Sequence, residues 1–162
     1  MTNENDECCP EFNPEKFDEK WMDWKDKKFI KESMPTFFHI PFTFLIGKKI
    51  SKLWKAASDS GAILEDKNEA LILFHDPSPF KSEIYLSVSK NVPNENNVTL
   101  SGTFASKVFD GGYNAVPKFL EEMNKYLAKT GDGSSDMYIH YTYCPKCAKK
   151  YGHNYMIFFA KI

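Results

Sequence analysis

The order of predicted elements repeats along the chain, and this repeat limits the folds that the sequence can adopt. A strand, an amphipathic helix and two further strands are predicted over about residues 36–92, and the same order is predicted over about 98–162. A duplicated unit of this kind pairs its halves around a pseudo-twofold axis, and the seam between them forms a cleft. We therefore expect an α+β fold with an antiparallel sheet, helices on one face and a central pseudo-twofold cleft.

The spacing of apolar residues predicts the same four elements in each half. In the first half they are a strand over 36–45, a helix over 47–60 and strands over 70–74 and 83–89. In the second half they are a strand over 98–109, a helix over 114–129 and strands over 137–143 and 154–162.

A further helix is predicted in front of the repeat. The Asn-Pro-Glu sequence at 13–15 is a typical helix start, and Phe17, Trp21 and Trp24 recur at the spacing of one helical face. The chain then divides into an N-terminal arm and helix, residues 1–34, and the duplicated domain, residues 35–162.

Composition and charge exclude several classes of function. Arginine is absent, all 21 basic residues are lysines, and the net charge is −1. Because the guanidinium fork dominates recognition of phosphate and guanine, we expect no nucleic-acid partner. The start of the chain is polar and no apolar run is long enough to span a bilayer, so we expect a cytoplasmic protein without a membrane partner. One chain that holds both halves can form the cleft as a monomer or weak dimer.

Acidic residues beside tyrosines are the first candidate site. Glu83 lies two residues before Tyr85, and Asp136 two residues before Tyr138. A carboxylate among aromatic rings can bind a cationic ligand, or act as a general acid or base when burial raises its pKa. His140, on the same strand as Tyr138, is the third candidate catalytic residue.

Other side chains are candidates for binding a ligand in the cleft, because aromatic rings offer a flat apolar face. With Tyr85 and Tyr138 these candidates are Tyr113, Trp54 and His39. The spacing of Trp54 also fits the core face of its helix, and His39 fits a hydrogen-bonded core histidine. His75, in a proline-rich turn over 75–79, is expected at the surface.

Four cysteines are the candidate metal ligands. The Cys144-Pro145-Lys146-Cys147 segment has zinc-knuckle spacing, and Cys8 and Cys9 could complete a structural zinc site, with His153 as an alternative ligand. A disulfide between the arm and this loop, or unpaired thiols, are the alternatives.

Residues 104–113 read FASKVFDGGY, and they join a predicted strand to the helix that follows it. This segment resembles the hallmark segment of the GyrI-like small-molecule-binding superfamily. Residues 83–88 resemble the strand that closes the first half of that family. The resemblance implies a cleft for hydrophobic, often cationic or planar, molecules. Members are effector-binding domains of regulators, stand-alone binders and, in one branch, hydrolases. The family's Glu-x-Tyr pair reads Asp136-Met137-Tyr138 here, and the cysteine loop resembles a branch labelled hydrolase.

Three functions follow from these observations. The first is a cytosolic protein that binds hydrophobic, cationic or planar small molecules. The second is a hydrolase of electrophilic small molecules on the same scaffold, in which Glu83 or Asp136 activates water. The third is a metal- or redox-dependent interaction module built on the cysteines.

Overall fold

The computed structural model describes residues 11–38, 40–66, 69–131, 136–143 and 145–162, with the backbone alone at 40, 41, 43, 113 and 145. The elements follow in the order β1 (Lys20–Phe37), β2 (Ile40–Pro41), α1 (Thr43–Asp59), β3 (Ile72–Ser78), β4 (Lys81–Ser87), β5 (Asn96–Asp110), α2 (Val116–Lys129), β6 (Met137–Tyr141), α3 (Pro145–Tyr151) and β7 (Tyr155–Lys161). Short 3₁₀ helices lie at Pro14–Lys16 and Tyr113–Ala115.

The described residues form two compact units. The central unit is residues 23–102, and the terminal unit contains residues 11–22 and 103–162. The divisions fall inside β1 and inside β5. The divisions predicted from the sequence instead fall after residue 34 and between residues 92 and 98.

In the central unit, β4 lies between β1 and β3 and is antiparallel to both. One face of these strands packs against α1, because apolar residues alternate along β1 and β4 and recur at helical spacing along α1. The buried residues of this core are Ile30, Met34, Leu53, Ala57, Ala62, Ile84, Leu86, Val88 and Val92. Each large side chain that is fully buried contributes about 1.5–3 kcal/mol.

In the terminal unit, β7 lies between β5 and β6 and is antiparallel to both. The buried core against α2 contains Ala105, Phe109, Phe119, Met123, Leu127, Met156, Phe158 and Ala160. The rings of Phe109 and Phe119 stack with centroids 4.8 Å apart. A Cβ at Gly111 would lie 2.7 Å from Phe119 Cζ, so only glycine allows this close approach.

The predicted α+β class and the antiparallel pairing are confirmed. In each unit the last strand lies between two others, but the element orders differ, because β2 precedes α1 in the central unit and α3 separates β6 from β7 in the terminal unit. The duplication itself, the placement of both helices on one face and the pseudo-twofold cleft stay predictions.

The predicted N-terminal helix is wrong. Residues 14–16 form one 3₁₀ turn, and β1 begins at Lys20. The spacing of Trp21 and Trp24 imitates a helix, but along the strand Trp24 is partly buried between exposed neighbours. The backbone of Asp26 has a φ of 49°, which interrupts the alternation. Phe29 and Ile30 are both buried, Ile30 in the core against α1 and Phe29 against Tyr85.

Three boundaries in the sequence analysis are also wrong. Residues 43–45 belong to α1 and not to a strand, and the predicted turn at 75–79 is mostly β3. An irregularity in the pairing of β3 with β4 between His75 and Ser78 accommodates the proline at position 77. The residues after Cys144 form α3 where a loop was predicted. Within the described residues, the helices are all too short or too polar to cross a membrane.

Candidate functional site

Glu83 lies on β4, the strand between β1 and β3. Its neighbours Ile84 and Leu86 face α1, so alternation along the strand turns Glu83 and Tyr85 to the opposite face. The side chain of Glu83 is only 9% exposed. A carboxylate at this depth requires partners, because burying an unpaired charge is costly.

Three neighbours supply these partners. Lys31 Nζ lies 2.8 Å from Glu83 Oε2, and His75 Nδ1 lies 3.1 Å from Oε1. The hydroxyl of Tyr85 donates a hydrogen bond of 3.1 Å to the same Oε1. We call Glu83, Lys31, His75 and Tyr85 the Glu83 cluster.

The register of the strands brings the Glu83 cluster together. On β3, His75 stands directly opposite Glu83, and on β1, Lys31 stands directly opposite Tyr85. Side chains at such positions lie about 4.5–5.5 Å apart at their Cβ atoms. The cluster is therefore a consequence of pairing among three adjacent strands.

The electrostatics of the cluster keep Glu83 ionised. Burial acts to raise the pKa of Glu83, but the hydrogen bonds from Lys31, His75 and Tyr85 and the charge of Lys31 outweigh burial and leave the pKa below its usual range. Lys31 Nζ also lies 5.8 Å from the centre of the Tyr85 ring, within reach of a cation–π contact.

The contact between Glu83 and His75 determines which nitrogen of the imidazole ring carries the proton. An ionised carboxylate only accepts hydrogen bonds, so Nδ1 of His75 must carry the proton in this contact. Nε2 is then the ring nitrogen that carries the lone pair, and the carboxylate at Nδ1 fixes this tautomer and the orientation of the ring. The side chain of His75 is 16% exposed. This arrangement suits an acceptor of protons.

The remaining acidic and aromatic candidates on the last strands lie in the terminal unit. Tyr138 is buried, with its ring 6.2 Å from that of Phe104. His140 is partly buried on β6, opposite Ile157. Asp136 directly precedes β6, and its carbonyl oxygen accepts a hydrogen bond from the backbone of Lys161.

The structure separates Trp54 from the Glu83 cluster. Trp54 lies on α1, which packs on the face of the strands opposite to Glu83, and it is 39% exposed. The expectation that Trp54 belongs to the core face of its helix is therefore wrong. His39 and the side chain of Tyr113 lie outside the described residues.

The metal prediction depends on residues that the structure does not describe. Cys8, Cys9 and Cys144 lie outside the described residues, and Cys147 is buried in α3. Within the described ranges, no group of three or more metal-binding side chains occurs. The structural zinc site stays a prediction, which elemental analysis of the purified protein tests.

The alternative zinc ligand His153 contacts a carboxylate instead. Its Nδ1 lies 2.8 Å from Asp110 Oδ2, and its ring stacks on that of Tyr155 at 4.8 Å. The backbone of Asn154 donates to Asp110 Oδ1 at 2.8 Å. Burial acts to raise the pKa of Asp110, but the bonds from Asn154 and His153 lower it below its usual value. Both side chains of this pair are about half exposed.

A family model described as "Bacterial hydrolase" matches residues 1–162. The chain belongs to the bacterial hydrolase family. The crystal structure of an uncharacterized conserved protein from Listeria innocua is similar, with a TM-score of 0.61, 9% identity and coverage of 87% of this chain and 90% of that chain. At this identity the similarity concerns the fold alone. No curated protein matches the chain.

For this member of the bacterial hydrolase family, two residues of the cluster were missed from the sequence. Lys31 was placed in the predicted N-terminal part, before the repeat, and His75 in a surface turn. Residues 29–34 read Phe-Ile-Lys-Glu-Ser-Met and do not alternate, so only the strand pairing places Lys31 beside Tyr85.

Proposed function

We propose that the chain binds small hydrophobic molecules at the Glu83 cluster. The observation that carries this proposal is a nearly buried, ionised carboxylate held by three donors on one face of a sheet. Polar groups converging among apolar and aromatic side chains are typical of small-molecule sites. The resemblance to the GyrI-like superfamily supports the same proposal. In this proposal the chain is a cytoplasmic binding protein that acts on its own.

The charge of the cluster restricts the ligand. Lys31 already neutralises Glu83 and lies against the Tyr85 ring, where a cationic ligand would otherwise sit. A cation must therefore displace the ammonium group of Lys31, whereas a neutral planar molecule can contact it. We infer that planar, uncharged molecules bind better than their cationic analogues.

A pair of matched probes tests this inference. Calorimetric titration with acridine, at a pH where it is neutral, and with the cation N-methylacridinium compares two molecules of nearly equal shape. We expect acridine to bind more tightly, and Lys31→Met to shift the preference toward the cation by at least about tenfold. Binding of neither probe, or a preference that Lys31→Met leaves unchanged, would contradict the proposal. Lys125→Met, on an exposed lysine of α2, is the control.

Hydrolysis at the same cluster is the second candidate function. It is favoured by the hydrogen bond between His75 and Glu83 and by membership of the bacterial hydrolase family. In this proposal Nε2 of His75 takes a proton from water while the water oxygen attacks an electrophilic carbon. Glu83 stabilises the imidazolium, which then returns the proton to the leaving group.

Nitrophenyl esters provide a direct assay of this chemistry. If the proposal holds, His75→Gln and Glu83→Gln lower kcat by about 10²-fold or more, while His153→Gln does not change it. Circular dichroism and urea unfolding confirm that each variant is folded. Equal activity in all variants would show that any hydrolysis arises elsewhere. If the chain binds acridine but does not hydrolyse the esters, the hydrolase proposal is contradicted and the binding proposal stands.

A further inference from the structure

Five phenylalanines are exposed at one end of the central unit. Their exposed fractions lie between 44% and 73%, and they are Phe37, Phe38, Phe42, Phe44 and Phe80. We call them the phenylalanine patch. They extend from the end of β1 across β2 to the first turn of α1, and Phe80 occupies the turn between β3 and β4.

Ring contacts join the phenylalanines in two groups, and the pairing of β1 with β2 connects the segments that carry them. The ring centroids of Phe37 and Phe38 are 4.6 Å apart, those of Phe38 and Phe80 5.3 Å, and those of Phe42 and Phe44 6.2 Å. The backbone N–H of Thr36 donates to Phe80 O at 3.0 Å. This bond ties the end of β1 to the turn that carries Phe80, so the rings of the two segments form one surface.

The exposed ring surface is as large as the largest apolar patch of a typical monomer, which is often functional. With about 150–250 Å² for each full side chain, the exposed part is on the order of 500 Å². Patches of this size mark interaction sites, whereas scattered apolar residues do not.

Lysines predominate over acidic residues around the patch, although the exposed Asp76 lies on β3, four positions before Phe80. From residue 33 to residue 58 the sequence contains no acidic residue, and its charged residues are Lys48, Lys49, Lys52 and Lys55. Lys49 and Lys52 bind Glu32, and Lys55 binds Asp59. Lys48 lies one helical turn after Phe44, Lys81 directly follows Phe80, and both side chains are exposed. The positive charge nearest to the rings therefore comes from these two lysines.

We propose that the phenylalanine patch docks on the surface of an anionic lipid bilayer. Aromatic rings partition into the boundary between headgroups and acyl chains, and lysines at their edge attract anionic headgroups. A second copy of the chain would bring the same positive charges against the patch, so charge complementarity disfavours self-association. The absence of a spanning segment, which led to the expectation of no membrane partner, has no bearing on contact with the membrane surface.

Vesicle sedimentation of the full chain tests the proposal. The protein is mixed with vesicles of phosphatidylcholine alone or of phosphatidylcholine with phosphatidylglycerol, and the bound fraction is measured at several lipid concentrations. We expect binding to the anionic vesicles, decreasing as salt is added. Phe38→Ser combined with Phe44→Ser should weaken partition by about tenfold or more. Trp21→Ser, at 46% exposure outside the patch, is the matched control and should not change it.

Two lysine variants test the role of charge separately. Lys48→Gln and Lys81→Gln should each weaken partition into anionic vesicles by about fivefold, whereas Lys118→Gln, exposed on α2, should not. Absent binding to anionic vesicles, or equal binding by the phenylalanine variants, would overturn the proposal. Light scattering measures the oligomeric state in addition. If the chain forms a dimer that the phenylalanine variants abolish, and does not bind lipid, the patch serves self-association and the membrane proposal is overturned.

Discussion

Among the described residues, the Glu83–His75 and Asp110–His153 pairs lie in opposite surroundings. Glu83 and His75 are 3.1 Å apart with side chains 9% and 16% exposed, whereas Asp110 and His153 are 2.8 Å apart and about half exposed. The shorter contact is thus the more solvated one. Distance alone does not determine how much such a pair contributes to stability, because water screens an exposed pair and competes for its hydrogen bonds.

The two pairs also differ in their positions on the strands. Glu83 and His75 face each other across two adjacent strands and share Lys31 and Tyr85 as neighbours. Asp110 ends β5 and binds the turn that precedes β7. We therefore expect the first pair to control binding, chemistry and stability, and the second to order one turn.

Loss of Lys31 has the largest expected effect on stability. Lys31→Met leaves the buried carboxylate of Glu83 without its cation, which should lower the free energy of unfolding by about 2–4 kcal/mol. Urea unfolding measures it, with Lys125→Met as an exposed control that changes stability by less than about 0.5 kcal/mol. Adding Glu83→Gln to Lys31→Met should recover part of the loss. Without such recovery, the coupling between the two charges would be refuted.

Removal of the partly buried His75 should have an intermediate effect on stability. His75→Ala deletes one hydrogen bond to a charged acceptor and leaves space on β3, so we expect a loss of about 1–3 kcal/mol in urea unfolding. His153→Ala, in the exposed pair, is the matched comparison. Equal losses in both variants would show that burial does not distinguish the pairs.

The exposed pair should contribute little. Asp110→Asn keeps an oxygen that can accept from the backbone of Asn154 and loses only the charge, so we expect a loss of less than about 1 kcal/mol. The change should decrease as salt is added, since the side chains are half exposed. A loss as large as that of Lys31→Met would contradict the comparison.

The smallest expected effect is the pH dependence of stability that arises from Glu83. The folded chain lowers the pKa of Glu83, so its stabilisation is complete above the ordinary glutamate pKa of about 4.3 and is lost as the pH falls through the folded pKa. The difference in unfolding free energy between the natural chain and Glu83→Gln should therefore shrink on acidification. Thermal unfolding across this range measures the trend, and a growing difference would contradict the direction of the shift.

The sequence predicts some parts of this molecule well. Helices α1 and α2 were found because their apolar residues repeat at helical spacing, and β4 because Ile84 and Leu86 alternate with Glu83 and Tyr85. The position of Glu83 beside Tyr85 on this alternating strand predicts it as a candidate site residue. Its surroundings depend on pairing between distant segments, which local spacing does not contain.

The errors have local causes. Trp21 and Trp24 fit helical spacing, and a positive φ at Asp26 disturbs the alternation that would have indicated β1. Pro77 and Pro79 favoured a turn, although an irregular strand accommodates the first of them. The partners of Glu83 on both flanking strands were missed through these two errors.

The terminal unit joins residues that are made at very different times. Phe12 donates its backbone N–H to the hydroxyl of Tyr143, 131 positions further on, and Ser106 donates to the carbonyl of Phe17. At about 5–20 residues per second, the ribosome needs on the order of ten seconds to reach the later partner. Residues 12–17 therefore complete their contacts only after that interval, during which chaperones can hold them.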